Sequence, residues 1–418
     1  MARRRSDAFA KTVPPPIAGP DHFDPDDVAA MLREIGAALV ETSLPIQVVE
    51  YRLRDIAARY TTQPVEVAVL PTLLFIQIGT AVHQMESSVQ PSGLMDVAAR
   101  IDQIAELAGA GAISPLEAVA EVHAARTAPP RFGAVVTTLG YALTTVGFGM
   151  AVQPSWRAML AHLFLGLVVG LIVAIARPFP DLAPILPTLA ALVVTLLGTW
   201  FVADVAHDGL LRVIAPGLIA TLPGMALVVG SIELASGKII SGASRLAYGI
   251  AQLGLLVYGM VLGVRIAGQV IPSQGPSSPM GWWSAYAAVV VIAVGLSLYL
   301  SAPRGSLPWL VLVIGVSMLA QSLAGLVLNA AHSGFIAAMV AIPFAVLCAR
   351  IRTAPPASVL VLAAFWSLVP GQLTFMSLGR GAAGDYAGTA GLSVAAAAIT
   401  SIALGTLVGW SLVRTLSR

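Results

Sequence analysis

One cysteine in 418 residues, Cys348, lies in an apolar run. A lone thiol closes no intramolecular disulfide, so nothing implies an oxidising compartment. Charge is scarce too: Asp, Glu, Lys and Arg make up 11% of the chain against 57% hydrophobic residues. With a mean hydropathy of +0.86, this excludes a disordered chain and an ordinary water-soluble globule. The net charge of +2 gives no footprint for a nucleic-acid partner. Also missing are a phosphate-cradling glycine loop, zinc-ligand spacing and a nucleophile elbow, so no metal, cofactor, ATP drive or enzymatic activity is expected. Arg3, Arg4 and Arg5 imitate the start of a signal peptide, but SDAFAKTVPPP follows without an apolar core. The N-terminal part is therefore expected to stay in the cytoplasm.

The charge that is present is unevenly placed. Residues 1–132 hold 11 Lys/Arg and 16 Asp/Glu, whereas residues 133–418 hold 12 and 5. An acidic soluble head thus precedes an apolar body. Residues 1–23 read as a disordered tail, rich in proline and charge. Asp24 then caps a helix, with Pro25 at its first position and Asp26 and Asp27 in its first turn. Val28, Met31, Leu32, Ile35 and Leu39 share one face. A second helix from Pro45 aligns Val49, Leu53, Ile56 and Tyr60. PVEVAVL and TLLFIQIG read as strands, with a third over 80–86. Helices follow over 94–108 and 115–126, the latter opened by a capping box of Ser114 and Glu117. The head, residues 24–130, is thus α+β. His83 near Glu86 is its one pairing suggestive of catalysis, and no motif surrounds it. The head reads as a docking, regulatory or oligomerisation module.

Ten apolar segments follow: 133–152, 158–176, 182–203, 209–231, 244–268, 282–301, 307–328, 333–349, 356–379 and 389–413. Each is close to the ~20 residues that cross a bilayer core, which predicts an all-α polytopic body of about ten transmembrane helices. With the head inside, eight basic residues fall on the cytoplasmic side and four opposite, so both termini are expected inside the cell membrane.

Two Pro-Gly pairs, Pro216-Gly217 and Pro223-Gly224, interrupt the fourth segment ahead of a Gly/Ser-rich connector holding Glu233, Lys238 and Arg245. Proline removes an amide donor and clashes with the carbonyl four residues back. Inside a bilayer such a break survives only where protein or a wet cavity satisfies the freed groups; a Pro-kinked packing helix is the simpler alternative. Pro223-Gly224 is echoed by Pro370-Gly371 in the ninth segment, 147 residues on. Thirteen residues past each break stands another glycine, Gly237 and Gly384, followed by Lys238 and Asp385. Glu233 falls opposite Arg380 in this register. Five segments per half is odd, so the halves, residues 131–270 and 271–418, would form a 5+5 inverted repeat. That is the architecture of many alternating-access carriers.

These residues resemble the threonine/serine exporter family. The resemblance runs from about residue 28 to 415, through VEYRLRDIAARY and SPLEAVAEV in the head, LPG…SIEL…SG…SGASR over 222–245, and VPGQLTF…GRGAAG in the second half. It implies a proton-motive-force-driven exporter of small hydroxy amino acids, with ten spans behind a soluble head. Some relatives split the two halves into separate chains, a form associated with dicarboxylate export. Many relatives carry glycine between the first two head helices, where this chain has Thr42-Ser43-Leu44-Pro45.

A zwitterionic substrate needs a cradle for its carboxylate and another for its ammonium. Amides exposed after Gly224 or Gly371 suit the carboxylate, with Gln372 and Thr374 as polar partners. The ammonium, or the coupled proton, wants an acid. Glu233, one to two turns beyond the break, is the first candidate, because a carboxylate at membrane depth is costly unless paired or functional. Its plainer reading is a structural salt bridge to Arg245 or Lys238. Arg380 and Asp385 bracket the matching connector as a second gate or a hydrated rim. His207 and Asp208, near Asp204, form a hydrated loop or an outer proton relay. The expected partners are an amino-acid substrate, protons and the lipid bilayer, with homo-oligomers compatible. The alternatives are an exporter of dicarboxylates such as succinate and a membrane sensor or enzyme with a regulatory head.

Overall fold

The structure, a computed structural model, describes residues 14–87, 94–152, 154–202, 210–268, 279–368, 375 and 388–416. It divides into two compact units. One takes the chain up to Arg131 together with Val229–Leu246 and Ala345–Val361; the other takes the rest.

In the first unit, Asp24 accepts the Asp26 amide at 2.9 Å and starts α1, Pro25–Glu41. Helix α2 is Ile46–Tyr60. Strands β1, Val65–Val69, β2, Leu73–Ile78, and β3, Ala81–Glu86, form an antiparallel meander in that order. Helices α3, Met95–Gly109, and α4, Pro115–Thr127, follow, with Ser114 accepting the Glu117 amide at 3.3 Å. One sheet face, Val67, Val69, Leu74, Ile76 and Ile78, is buried with Met31, Leu32, Ile35 and Leu53. Each such side chain contributes about 1.5–3 kcal/mol on burial. His83 pairs across the sheet with Ile76, and its ring lies 3.9 Å from Asp26.

The chain joins this unit before α1. The Ile17 amide donates to Gly111 and the Asp21 amide to Tyr60, both at 2.8 Å, and the Asp21 carboxylate accepts from the hydroxyls of Thr61 and Thr62. Between α1 and α2, Ser43 stands at φ 63°. The turn keeps the left-handed residue that a glycine would supply freely, but on a side chain with a Cβ.

The second unit is helical. Its elements begin with α5, Ala134–Val152, α6, Trp156–Ala176, and α7, Leu186–Leu197, which runs into a π turn over Gly198–Val202. Pro187 falls in the first turn of α7, where its missing N–H breaks no bond. Next come α8, Leu210–Ile214, a 3₁₀ turn over Pro216–Thr221, α9, Gly224–Ala235, and α10, Ile239–Ala267. The remaining helices are α11, Ser284–Tyr299, α12, Leu307–Ala324, α13, Ser333–Ala349, α14, Ala357–Leu368, and α15, Gly388–Leu416. Parts of α9, α10, α13 and α14 belong to the first unit.

Among the described residues, five helices are long and apolar enough to cross a membrane: α5, α6, α10, α12 and Ser393–Val413 within α15. The regions of α7, α9, α11, α13 and α14 are shorter apolar helices. Each apolar segment read from the sequence overlaps one of these helices, with α6, α9 and α10 running beyond the bounds read for theirs.

Glycines set how closely the helices approach. A Cβ on Gly140 of α5 would come 2.5 Å from the Tyr299 amide of α11, one on Gly147 would come 2.8 Å from that of Ile292, and one on Gly295 would come 2.5 Å from Thr144. Contacts that advance along α5 retreat along α11, so the pair is antiparallel. In α10, Gly259 meets Thr188 and Gly263 meets Leu192 and Thr195 of α7; in α15, Gly405 meets Phe335 and Gly409 meets Met339 and Ile342 of α13. Both of these pairs run parallel, each through two glycines four residues apart. Such small-residue contacts let membrane helices pack backbone to backbone.

Candidate functional site

The break in the fourth segment lies where the proline spacing puts it. Pro216 has no N–H for the Arg212 carbonyl four residues back, so α8 stops and the chain tightens into the 3₁₀ turn. Leu222 is extended, Pro223 follows, and α9 restarts at Gly224, with the Leu227 amide donating to Pro223 at 3.1 Å. Tyr141 of α5 donates its hydroxyl to the Gly217 carbonyl at 2.8 Å, supplying from protein a partner that water would otherwise provide.

Glu233 sits in the third turn of α9, within the first unit, and is 0% exposed. Gly237, at φ 80°, ends that helix, and the Lys238 amide donates back to the Glu233 carbonyl at 2.8 Å. The chain reverses into α10 so closely that a Cβ on Gly242 would lie 2.7 Å from the Gly230 carbonyl. This approach carries Arg245 onto α9. Its Nε stands 3.1 Å from Glu233 Oε1, an ion pair at an angle that makes no hydrogen bond. The same oxygen accepts the Ile46 amide at 3.1 Å. Helix α2 has no side-chain cap of its own at Pro45, so Glu233 caps it from a distant part of the chain, at the positive end of its dipole. Glu233 Oε2 and Arg245 Nη2 are buried without a hydrogen-bond partner among the described residues.

The plainer reading of Glu233, a salt bridge to Arg245 or Lys238, is met by the first of the two. Arg245 is its partner, whereas Lys238 turns to Glu50, with Nζ 2.7 and 2.6 Å from the two carboxylate oxygens. Gln47 donates to the Ser236 hydroxyl at 3.3 Å. On α3, Asp102 pairs with Arg52 and accepts from Ser358 of α14 at 3.0 Å. Burial works against the Arg52 charge, but the neighbouring Asp102 carboxylate more than offsets it and raises the guanidinium pKa above its usual value. Glu50 of VEYRLRDIAARY and Asp102 of α3 therefore tie the stretches Val229–Leu246 and Ala345–Val361 to the rest of the first unit.

Sequence reasoning missed Glu50, Arg52 and Asp102. The first and last were detectable as charges inside apolar stripes: Glu50 between Val49 and Leu53, Asp102 between Ile101 and Ala105, both buried. Of the residues it singled out, Pro223 and Gly224 bound the break, and Glu233 and Arg245 meet. Pro370, Gly371, Gln372, Thr374, Arg380, Asp385, His207 and Asp208 lie outside the described residues. Phe375, the one described residue between 369 and 387, is fully buried in the apolar core of the second unit. Among the described residues, no three His, Cys, Asp or Glu side chains gather closely enough to hold a metal ion.

A family model described as "Putative threonine/serine exporter" (ThrE) matches residues 30–267, more than half of the chain. No curated protein and no solved structure matches.

Proposed function

The chain belongs to the threonine/serine exporter family, and on that premise we propose that it exports threonine, serine and similar small hydroxy amino acids as a proton-driven secondary carrier. The supporting observation is the buried Glu233–Arg245 pair, in which each partner keeps a polar atom unbonded. An amino-acid zwitterion is the complement: its ammonium suits Glu233 Oε2 and its carboxylate suits Arg245 Nη2, both charge-assisted contacts. A dicarboxylate brings no cation to Glu233 and ranks second. A sensor or enzyme would need no such pair beside a broken helix.

The head completes this reading. The Ile46 amide on Glu233, the Gln47–Ser236 contact and the Glu50–Lys238 pair hold the α9–α10 turn shut. In our account a substrate from the cytoplasm reaches Glu233 once these contacts open, and the head acts as the inner latch.

Alternating access between ten spans in inverted halves has support from the helix contacts. First spans related by inversion should run antiparallel where they meet, as α5 and α11 do. Within each half the third and fifth spans should run parallel, as α7 with α10 and α13 with α15 do. The glycine pairs of α10 and α15 are separated by the interval between Pro223 and Pro370, to within one residue. On this account Pro370, Gly371, Gln372 and Thr374 form the matching break, Arg380 and Asp385 its gate, and His207 and Asp208 an outer polar cluster. Both termini face the cytoplasm.

Counter-transport of labelled threonine in proteoliposomes, with and without a pH gradient, tests the reading. Threonine and serine flux enhanced by the gradient is expected. Succinate flux in their place would favour the dicarboxylate reading, and no solute movement would remove the carrier.

A further inference from the structure

Helix α2 opens on Ile46 and Gln47. The Ile46 amide donates to Glu233 Oε1, and Gln47 beside it donates through Nε2 to Ser236 Oγ at 3.3 Å. The Ser236 amide still bonds back to the Ile232 carbonyl at 3.0 Å, so the helical spacing of α9 reaches it. Residues three apart on a helix stand about 5–6 Å from each other between Cβ atoms, so the start of α2 lies along the turn of α9 that carries Glu233. Gln47 Oε1, the other end of the same planar amide, is buried and has no hydrogen-bond partner among the described residues. A buried acceptor without a donor is costly to keep. It is the third such atom in this small region, after Glu233 Oε2 and Arg245 Nη2. An anionic acceptor, a cationic donor and a neutral acceptor together call for a ligand with an ammonium, a carboxylate and an uncharged donor.

We propose that Gln47 reads the side-chain hydroxyl of the substrate, its Oε1 accepting the O–H of serine or threonine. The inference rests on the exporter reading above, in which Glu233 and Arg245 take the ammonium and the carboxylate. It adds the residue that selects hydroxy amino acids over their deoxy counterparts. The charged pair meets groups that every amino acid carries, so it cannot tell serine from alanine. A neutral acceptor can. Filled by a hydroxyl, Oε1 gains the donor it lacks; facing the methyl of alanine, it stays stripped of water and unpaired. Sites built to bond a hydroxyl reject the analogue without one far more strongly than an apolar pocket rejects a missing methylene. Gln47 is also one of the side chains that shut the α9–α10 turn. Closure of the head and choice of solute therefore meet in one amide, whose Nε2 fastens the latch while its Oε1 inspects what lies beneath.

The test measures exchange in proteoliposomes holding the full-length protein, with two matched pairs of labelled solutes: serine against alanine, and threonine against 2-aminobutyrate. Each pair differs by one hydroxyl, so the ratio of rates within a pair cancels changes in overall flux. The wild type is expected to favour the hydroxy member at least about tenfold. Gln47→Met, close to glutamine in length but without the amide, should bring both ratios to within about twofold of one. Ser236→Ala cuts the same latch contact and leaves Oε1 in place, so it should keep the wild-type ratios whatever its absolute flux. Wild-type ratios in Gln47→Met overturn the proposal. Equal collapse in Ser236→Ala also overturns it, because the contact and not the acceptor would then set the preference. If Gln47→Met fails to fold, Gln47→Leu takes its place under the same criteria. A wild type that moves both members of each pair alike refutes the hydroxyl site and leaves the carrier standing. A wild type that moves none of the four removes the carrier itself, a result distinct from the others.

Discussion

Replacing Glu233 by Gln removes one charge and little else. The amide oxygen can still accept the Ile46 N–H now held at 3.1 Å, so the helix cap survives. Arg245, whose side chain is 8% exposed, is left without its carboxylate partner. Breaking a buried pair in this way costs about 3–5 kcal/mol, because the surviving charge stays desolvated. Arg245→Met strands the carboxylate instead, at a similar cost. The double variant Glu233→Gln/Arg245→Met removes both charges and should regain most of that stability, since replacing a whole buried pair by neutral groups is often neutral or better. Thermal unfolding of the purified proteins and threonine flux in proteoliposomes should therefore separate. Each single variant lowers the midpoint, the double variant returns towards the wild type, and all three lose flux. Wild-type flux in the stable double variant would show that the pair only supports the fold. An unchanged midpoint in both single variants would mean the charges are not desolvated as the structure has them.

The inner latch is open to cross-linking: with Cys348 buried, cysteines at Gln47 and Ser236 are expected to close a bridge that stops flux and that reductant reverses. Unchanged flux in the bridged protein would refute the latch. Ser43→Gly should stabilise the protein by about 1 kcal/mol, because it relieves a left-handed conformation at a residue with a Cβ; a thermal melt with no rise argues against strain there. Tyr60 is buried, donates to the Ile113 carbonyl at 2.7 Å, and is pushed from 10.0 up to about 12 by burial. Its phenol stays protonated in the fold where the unfolded chain ionises, so its contribution is present below pH 10 and disappears as pH climbs through about 12. Tyr60→Phe should cost about 1 kcal/mol at neutral pH and flatten that alkaline slope; a slope left unchanged would assign it to other groups.

The head was legible almost residue by residue, because its signals are local. Asp24 and Ser114 cap the helices they were expected to cap, the alternation in PVEVAVL gives a strand with Val67 and Val69 inward, and the Val49–Leu53–Ile56–Tyr60 stripe is buried. The break at Pro216 and Pro223 was equally plain, since proline acts on its own backbone whatever surrounds it. Glu233 and Arg245 could be chosen as scarce charges in an apolar region. The bond from the Ile46 amide to Glu233 could not, because 187 residues separate that donor and acceptor and no periodicity encodes such a meeting. His162 was passed over for the opposite reason. A single imidazole in a hydrophobic run leaves no pattern. Its setting shows only in the structure, where a Cβ on Gly149 would collide with the ring.

The account stands or falls on a zwitterion bridging Glu233 and Arg245, and competition for labelled L-threonine on the purified wild-type protein tests this directly. Serine should displace the label, while threonine methyl ester, which lacks the carboxylate, and N-acetylthreonine, which lacks the ammonium, should not. Displacement by either blocked analogue as readily as by threonine would contradict the two-charge site.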